Sequence, residues 1–138
     1  MSEGNKECVS AEVAEAEFER FVEAMDLDVD PKGMDDEDRA SFTSAKRRFV
    51  AAVQAGRLTV DEKGRPVFTP SMGTTDPITF NEPTGASLMA MDQKKRGHEI
   101  GKLFAAIADM TGQPVVRFSK MAKRDLNVCI AIGGLFLG

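Results

Sequence analysis

The side chains that could carry out chemistry are few in this sequence and lie far apart. The chain has one histidine, His98, and two cysteines, Cys8 and Cys129. A metal site or a nucleophile–base pair needs several such groups, and none accompanies His98 in the sequence. Two isolated cysteines form neither a metal motif nor a disulfide framework, which favours a reducing compartment. We therefore expect no catalytic residue, no cofactor or metal site, and no enzymatic activity.

Three further motifs are each better explained by structure than by chemistry. The segment TGAS (84–87) has one glycine and no lysine at phosphate-loop spacing, which indicates a helix start. The acidic run at 26–38 lacks the spaced ligands and final glutamate of a calcium loop. The basic clusters at 45–48 and 94–96 could contact nucleic acid, but no aromatic residues are interleaved with them. We therefore favour a solvated basic surface over a nucleic-acid site.

Charge divides the chain into two unequal parts. Residues 1–38 hold 14 acidic and 3 basic side chains, a net charge of −11, whereas residues 39–138 hold 8 acidic and 15 basic, a net charge of +7. This asymmetry predicts an acidic N-terminal arm at residues 1–34, with a helix over about 10–25 followed by a linker. The arm could fold back on the basic body, which we predict to be one α+β domain at residues 35–138.

Start and stop signals place the elements of the N-terminal half. Ser10 can cap a helix that runs to about Met25, and Asp35 or Asp36 can cap a second one that ends at Gly56. The alternating segment at 57–70 predicts a β-hairpin in which Gly64 takes a positive φ. Residues 78–80 follow as a short strand.

Three helical stretches make up the C-terminal half. Thr84 or Ser87 caps the first, a second begins near His98 and stops at Gly112, and a third region begins near Phe118. We expect Asp125 to act as an internal cap in that last region. The predicted fold class is α+β: a small β-hairpin or sheet followed by a bundle of three helices, with an acidic N-terminal helical arm.

The chain ends on its most apolar stretch, from Val128 to Leu137. That run is about half as long as a bilayer span requires, so we do not expect a membrane anchor. The acidic first 30 residues lack the continuous apolar segment of a secretion signal. Two explanations of the closing run stay open: a last core helix, or a surface that meets another protein.

Three segments of the C-terminal half carry a resemblance to a known family. They are ITFNEPTGASLMAMD (78–92), IGKLFAAIADMTG (100–112) and FSKMAKRDLNVCIAIGGLFLG (118–138). In their order and spacing, residues 78–138 resemble the bacteriophage tail assembly chaperone family. The sequence departs from the family pattern at Ser87, where an acidic residue is more usual, and the acidic arm has no counterpart in the family.

The resemblance implies a non-enzymatic late protein of virion morphogenesis that works in the host cytoplasm. Members of the family bind the tape-measure protein, keep it soluble, assist polymerisation of tail-tube subunits around it, and are absent from the mature virion. Many are also made as a longer form by ribosomal frameshifting near the C-terminus. The partners implied are therefore the tape-measure protein, the tail-tube subunits and a frameshifted form of the same chain.

Adaptable apolar side chains in the C-terminal half are the candidate contacts for a partner, because methionine and large aliphatic residues suit such surfaces. Exposed apolar helices also make self-association into a homo-oligomer plausible. The candidate partner-binding residues are Leu88, Met89, Met91, Phe104, Met110, Phe118, Met121, Ile132, Leu135, Phe136 and Leu137. The alternative functions are a small structural protein of the virion tail or head, and a nucleic-acid-binding regulator whose arm is inhibitory.

Overall fold

The computed structural model describes residues 9–27, 29–92 and 99–137. In these residues it has six α-helices and one three-stranded antiparallel sheet, a mixed architecture of the α+β kind. The elements are α1 (Ala11–Ala24), α2 (Asp36–Gln54), β1 (Leu58–Val60), β2 (Pro66–Phe68), β3 (Ile78–Thr79), α3 (Gly85–Asp92), α4 (Glu99–Thr111), α5 (Val115–Ser119) and α6 (Lys123–Leu137). A single 3-10 turn at Pro31–Gly33 lies between α1 and α2.

Helix α1 begins where its capping residue predicts. The Ser10 hydroxyl accepts a hydrogen bond from the Val13 backbone N–H at 3.1 Å, which satisfies one of the free donors of the first turn. Ala14, Phe18 and Phe21 follow at spacings of four and three, so they share one face, and all three are buried. The predicted helix over about 10–25 is confirmed.

This acidic helix belongs to the same hydrophobic core as the rest of the chain. The Phe18 and Phe21 rings lie 5.2 and 5.1 Å from the Phe49 ring of α2. Lys46 of α2 lies 5.3 Å above the Phe18 ring and pairs with Glu15 at 3.3 Å. The predicted boundary at residue 34 therefore separates acidic from basic sequence, but it does not separate two cores.

Helix α2 and the hairpin follow the local signals closely. Of the two predicted caps, Asp35 is the one that accepts from the Asp38 N–H, at 2.7 Å. Gly56 ends the helix with φ +78°, a conformation that favours glycine. The chain then enters β1, which pairs with β2 in antiparallel register, with Leu58 opposite Phe68.

The hairpin turn is held by a carboxylate and seated against α1. Asp61 accepts from the backbone N–H groups of Lys63 and Arg65 and from the Arg65 side chain, at 2.8–3.0 Å. Burial alone would raise the pKa of Asp61, but these hydrogen bonds and the Arg65 charge hold that pKa below its ordinary value. Arg20 of α1 donates to the Val60 and Asp61 carbonyls, at 2.6 and 3.1 Å, so the turn is fixed to α1.

The C-terminal helices close the core from the other side. Helix α3 packs on α4, and α6 packs on both α2 and α4. Gly112 ends α4 with φ +69°, as the sequence predicts. The expectation that Asp125 is an internal helix cap is wrong: α6 already begins at Lys123, and the buried Asp125 carboxylate accepts from the Ser71 N–H at 3.0 Å.

Candidate interaction surface

The eleven predicted contact residues fall into three groups by exposure. Two are well exposed, six are half-buried and three are fully buried. The exposed pair is Leu88 and Met89; the half-buried ones are Met91, Phe104, Met121, Leu135, Phe136 and Leu137; the buried ones are Met110, Phe118 and Ile132. The structure therefore separates residues that an interface could use from residues that close the core.

Helix α3 owes its orientation to a buried polar contact. The Ser87 side chain is 1% exposed, and its hydroxyl donates to the Asp109 carboxylate of α4 at 2.7 Å. The same oxygen accepts from the Thr84 N–H at 3.2 Å, and the Thr84 hydroxyl accepts from the Ala86 N–H. The Ser87 face of α3 is thereby turned toward α4.

Leu88 and Met89 consequently lie on the outer side of α3. Their exposed fractions are 56% and 65%, the largest of any large apolar side chains that the structure describes. Met91, one turn beyond Ser87, is half-buried. Two adjacent, flexible apolar side chains on a helix fixed to the body make a surface suited to an apolar helical partner.

The closing run divides between core and surface. Cys129, Ile132 and the main chain at Gly133 are buried, so one face of α6 completes the core. Leu135, Phe136 and Leu137 are half-buried and line a groove beside α2. One face of α6 is therefore core, and the other is partly open to solvent and stays a candidate for contact with another protein.

Phe136 has a structural role that limits its use as a free contact. Its ring meets the Phe21 ring edge to face, with centroids 5.1 Å apart. A charged residue at 136 would therefore disturb the packing of α1 as well as the groove.

Three of the predicted contact residues lie inside the core. Met110 is 2% exposed, and Phe118 and Ile132 are fully buried. They face inward because α4, α5 and α6 turn these positions toward the sheet and α1–α2 core. They cannot touch a partner while the chain holds this fold, and they are removed from the candidate surface.

One exposed apolar patch was not predicted from the sequence. Met72, Val115 and Val116 are exposed, and Met72 and Val116 line a shallow depression of about 200 Å³ with the half-buried Met121. The signal for it was the Pro-Val-Val sequence at 114–116, which begins the short helix α5 with two consecutive β-branched residues, both of which are exposed. Arg117 and Lys120 border this patch, so its surroundings are basic.

The polar groups of the described residues offer little chemistry. No group of three or more metal-ligating side chains occurs within those residues. Burial, followed by the nearby Asp125 charge, raises the pKa of the Cys129 thiol to about 12, so the thiol stays protonated and unreactive at neutral pH. His98 and the basic cluster at 94–96 lie outside the described residues.

Comparisons with known proteins identify no relative. No protein-family model, curated protein or solved structure matches this chain. Within the described ranges, no helix combines the length and apolar character needed to cross a bilayer. The exposed apolar surface and the sequence resemblance are therefore the observations that bear on function.

Proposed function

We propose that the chain is a phage tail assembly chaperone whose α+β body binds the tape-measure protein, keeps it soluble and assists tail-tube polymerisation in the host cytoplasm. The observation that carries the proposal is the outward pair Leu88 and Met89 on α3. This pair lies within residues 78–92, the first of the segments that resemble the family.

The proposed client has long apolar helical faces. Such a protein aggregates unless another surface covers those faces, and the cover must be reversible if the client is later enclosed in a tube. Burying the exposed part of Leu88 and Met89 contributes about 1 to 2 kcal/mol for each side chain. Because each of these contributions to the binding free energy is small, one contact would be weak and reversible. Stable binding would require several such contacts along one client.

The test is co-expression with the long helical client. Wild-type chain should keep the client in the soluble fraction, and Leu88→Asp with Met89→Asp should abolish this, since two charges would enter the apolar contact. Val13→Asp is the matched control, because Val13 is also an exposed apolar helical residue, at 49%, but lies on α1. The three proteins should have equal thermal midpoints by circular dichroism.

Two results would overturn the proposal. One is a client that is equally insoluble with and without wild-type chain. The other is a stoichiometric amount of the chain in purified virions, measured by mass spectrometry, which would identify a structural virion protein instead.

A further inference from the structure

A groove lies between the segment after α1, helix α2 and the end of α6. Its volume is about 1000 Å³, at the upper end of ordinary ligand pockets. Half-buried apolar side chains from all three walls line it, among them Leu27, Met34, Phe42, Ile130 and Leu135. A groove with three apolar walls, two of them formed by the helices α2 and α6, fits the apolar stripe of a helix.

Small residues keep this groove open. On α2, Ser41, Ser44 and Ala45 line it, and on α6 Gly134 does. A Cβ built at Gly134 would meet no atom within 4 Å, and the residue does not have a positive φ. Neither internal packing nor backbone conformation requires glycine there, although glycine weakens a helix. The missing side chain leaves room for a partner backbone to approach α6.

The charge of the groove lining indicates which kind of partner it favours. The groove lining includes three acidic residues, Asp26, Asp30 and Asp38, against one basic residue, Arg48. A partner with lysine or arginine beside its apolar stripe would find complementary charge, and an acidic one would be repelled. The chain's own first eight residues, MSEGNKEC, are no match, since they hold two glutamates, one lysine and no apolar stripe.

We infer that this groove binds an amphipathic helix of the client protein that carries basic residues on both sides of its apolar stripe. That the helix comes from the client rests on the proposed function. That it is apolar with basic flanks rests on the groove alone. The surface formed by Leu88 and Met89 is a separate contact, because neither residue lines the groove.

The probe is a labelled 18-residue helical peptide of leucine, alanine and lysine, with leucines at i, i+3, i+4 and i+7 and lysines on both flanks. The matched peptide has glutamate in place of every lysine. Fluorescence anisotropy at low and at physiological salt should show at least about tenfold tighter binding of the lysine peptide, with the difference reduced by salt. Equal binding of the two peptides, or no binding of either, would overturn the inference.

Two variants locate the binding site. Gly134→Met should fill the groove and reduce peptide affinity at least about tenfold, whereas its thermal midpoint should equal or exceed that of wild type, because methionine is the better helix former. Asp26→Asn with Asp38→Asn should weaken the lysine peptide several-fold, and asparagine tolerates the positive φ of 52° at position 26. The control for charge is Glu62→Gln with Glu82→Gln, two exposed residues outside the groove, which should change affinity little.

The outcomes separate this inference from the proposed function. If the peptide binds in a Gly134-dependent way but the client stays insoluble, the groove stands and the chaperone function fails. If the client is kept soluble equally well by Gly134→Met, the function stands and the groove assignment is wrong. A dimer of the free chain that Gly134→Met dissociates, measured by light scattering, would assign the groove to a second copy and overturn the inference.

Discussion

Helix α1 contains five glutamates, yet Ala14, Phe18 and Phe21 on it are buried. Helix α3 has the sequence GASLMAMD with a single charged residue, and of its residues, all of which the structure describes, Ser87 alone is buried. The more polar helix is thus the one that supplies the core. The more apolar helix presents Leu88 and Met89 to solvent.

The difference follows from how the apolar residues are spaced. In α1 the aromatic residues recur at three and four positions, so a single stripe faces α2 and the glutamates occupy the other side. In α3 the apolar residues surround the helix, and one neighbour, α4, can cover only part of it. The spacing of apolar residues therefore limits how much of a helix one neighbour can bury, and apolar residues outside that stripe stay exposed.

The largest effect is expected from truncation of Phe21, the aromatic residue at the centre of the contact between α1 and the core. Phe21→Ala should lower the free energy of unfolding by about 3–5 kcal/mol, because its ring is fully buried against Phe18, Phe49 and Phe136. Leu88→Ala should change it by less than about 0.5 kcal/mol, as exposed substitutions do. Urea denaturation of both variants gives the two values.

A control on α1 itself tests whether the loss of stability comes from the burial of Phe21 or from any substitution in that helix. Val13→Ala, at a position 49% exposed, should resemble Leu88→Ala and not Phe21→Ala. If Phe21→Ala costs less than about 1 kcal/mol, α1 is a loosely attached arm, and the shared core described above is incorrect.

Local signals in the sequence predicted most of the element boundaries. Ser10, Gly56, Gly64 and Gly112 act through their own backbone and the adjacent turn, so their roles can be read without knowledge of the fold. The α+β class and the hairpin at 57–70 follow from the same short-range information. These predictions are confirmed because they depend mainly on short-range interactions.

Long-range packing explains the errors. Asp125 looked like a helix cap, but its partner is the Ser71 backbone, 54 residues away in sequence. The charge of residues 1–38 suggested an arm that could fold back on the basic body, but only the contact between the Phe18 and Phe49 rings shows where α1 packs. Likewise, no periodicity reveals which of two apolar residues, such as Leu88 and Phe118, has a neighbour to cover it.

A second prediction tests how closely α1 packs on the hairpin turn, by comparing alanine at two glycines. Gly64 and Gly73 both have positive φ, +83° and +75°, so alanine should strain the backbone at each by about 1–2 kcal/mol. At Gly64 the new Cβ would also overlap the Ala24 side chain of α1, whereas at Gly73 it meets nothing within 4 Å. Gly64→Ala should therefore destabilise by at least about 1 kcal/mol more than Gly73→Ala.

A double-mutant cycle gives the cause of that extra loss. Ala24→Gly removes the Cβ that the new methyl group at position 64 would overlap. The double variant should therefore be about 1 kcal/mol more stable than the sum of the two single effects predicts. Equal denaturation midpoints for Gly64→Ala and Gly73→Ala would mean that α1 does not rest on the turn.

The smallest effect is expected within α6, where one of two adjacent glycines faces α4 and the other faces open space. Gly133 and Gly134 are adjacent in α6, and alanine at either should gain about 1 kcal/mol of helix propensity. At Gly133 the added Cβ would lie 2.9 Å from Ile107 Cγ1 and 3.0 Å from Cδ1. Ile107 is fully buried, so displacing it should cost about 1–3 kcal/mol and cancel or exceed the gain.

Gly134→Ala should therefore raise the urea midpoint, and Gly133→Ala should leave it unchanged or lower it. Ile107→Val is the matched relief variant, because it removes one of the two side-chain atoms that crowd position 133, and it should reduce the cost of Gly133→Ala. Equal stabilisation by both alanines would show that α4 does not hold α6 closely at this point. Gly133 would then lie as open as Gly134, and the assignment of opposite faces of α6 to core and groove would lose its basis.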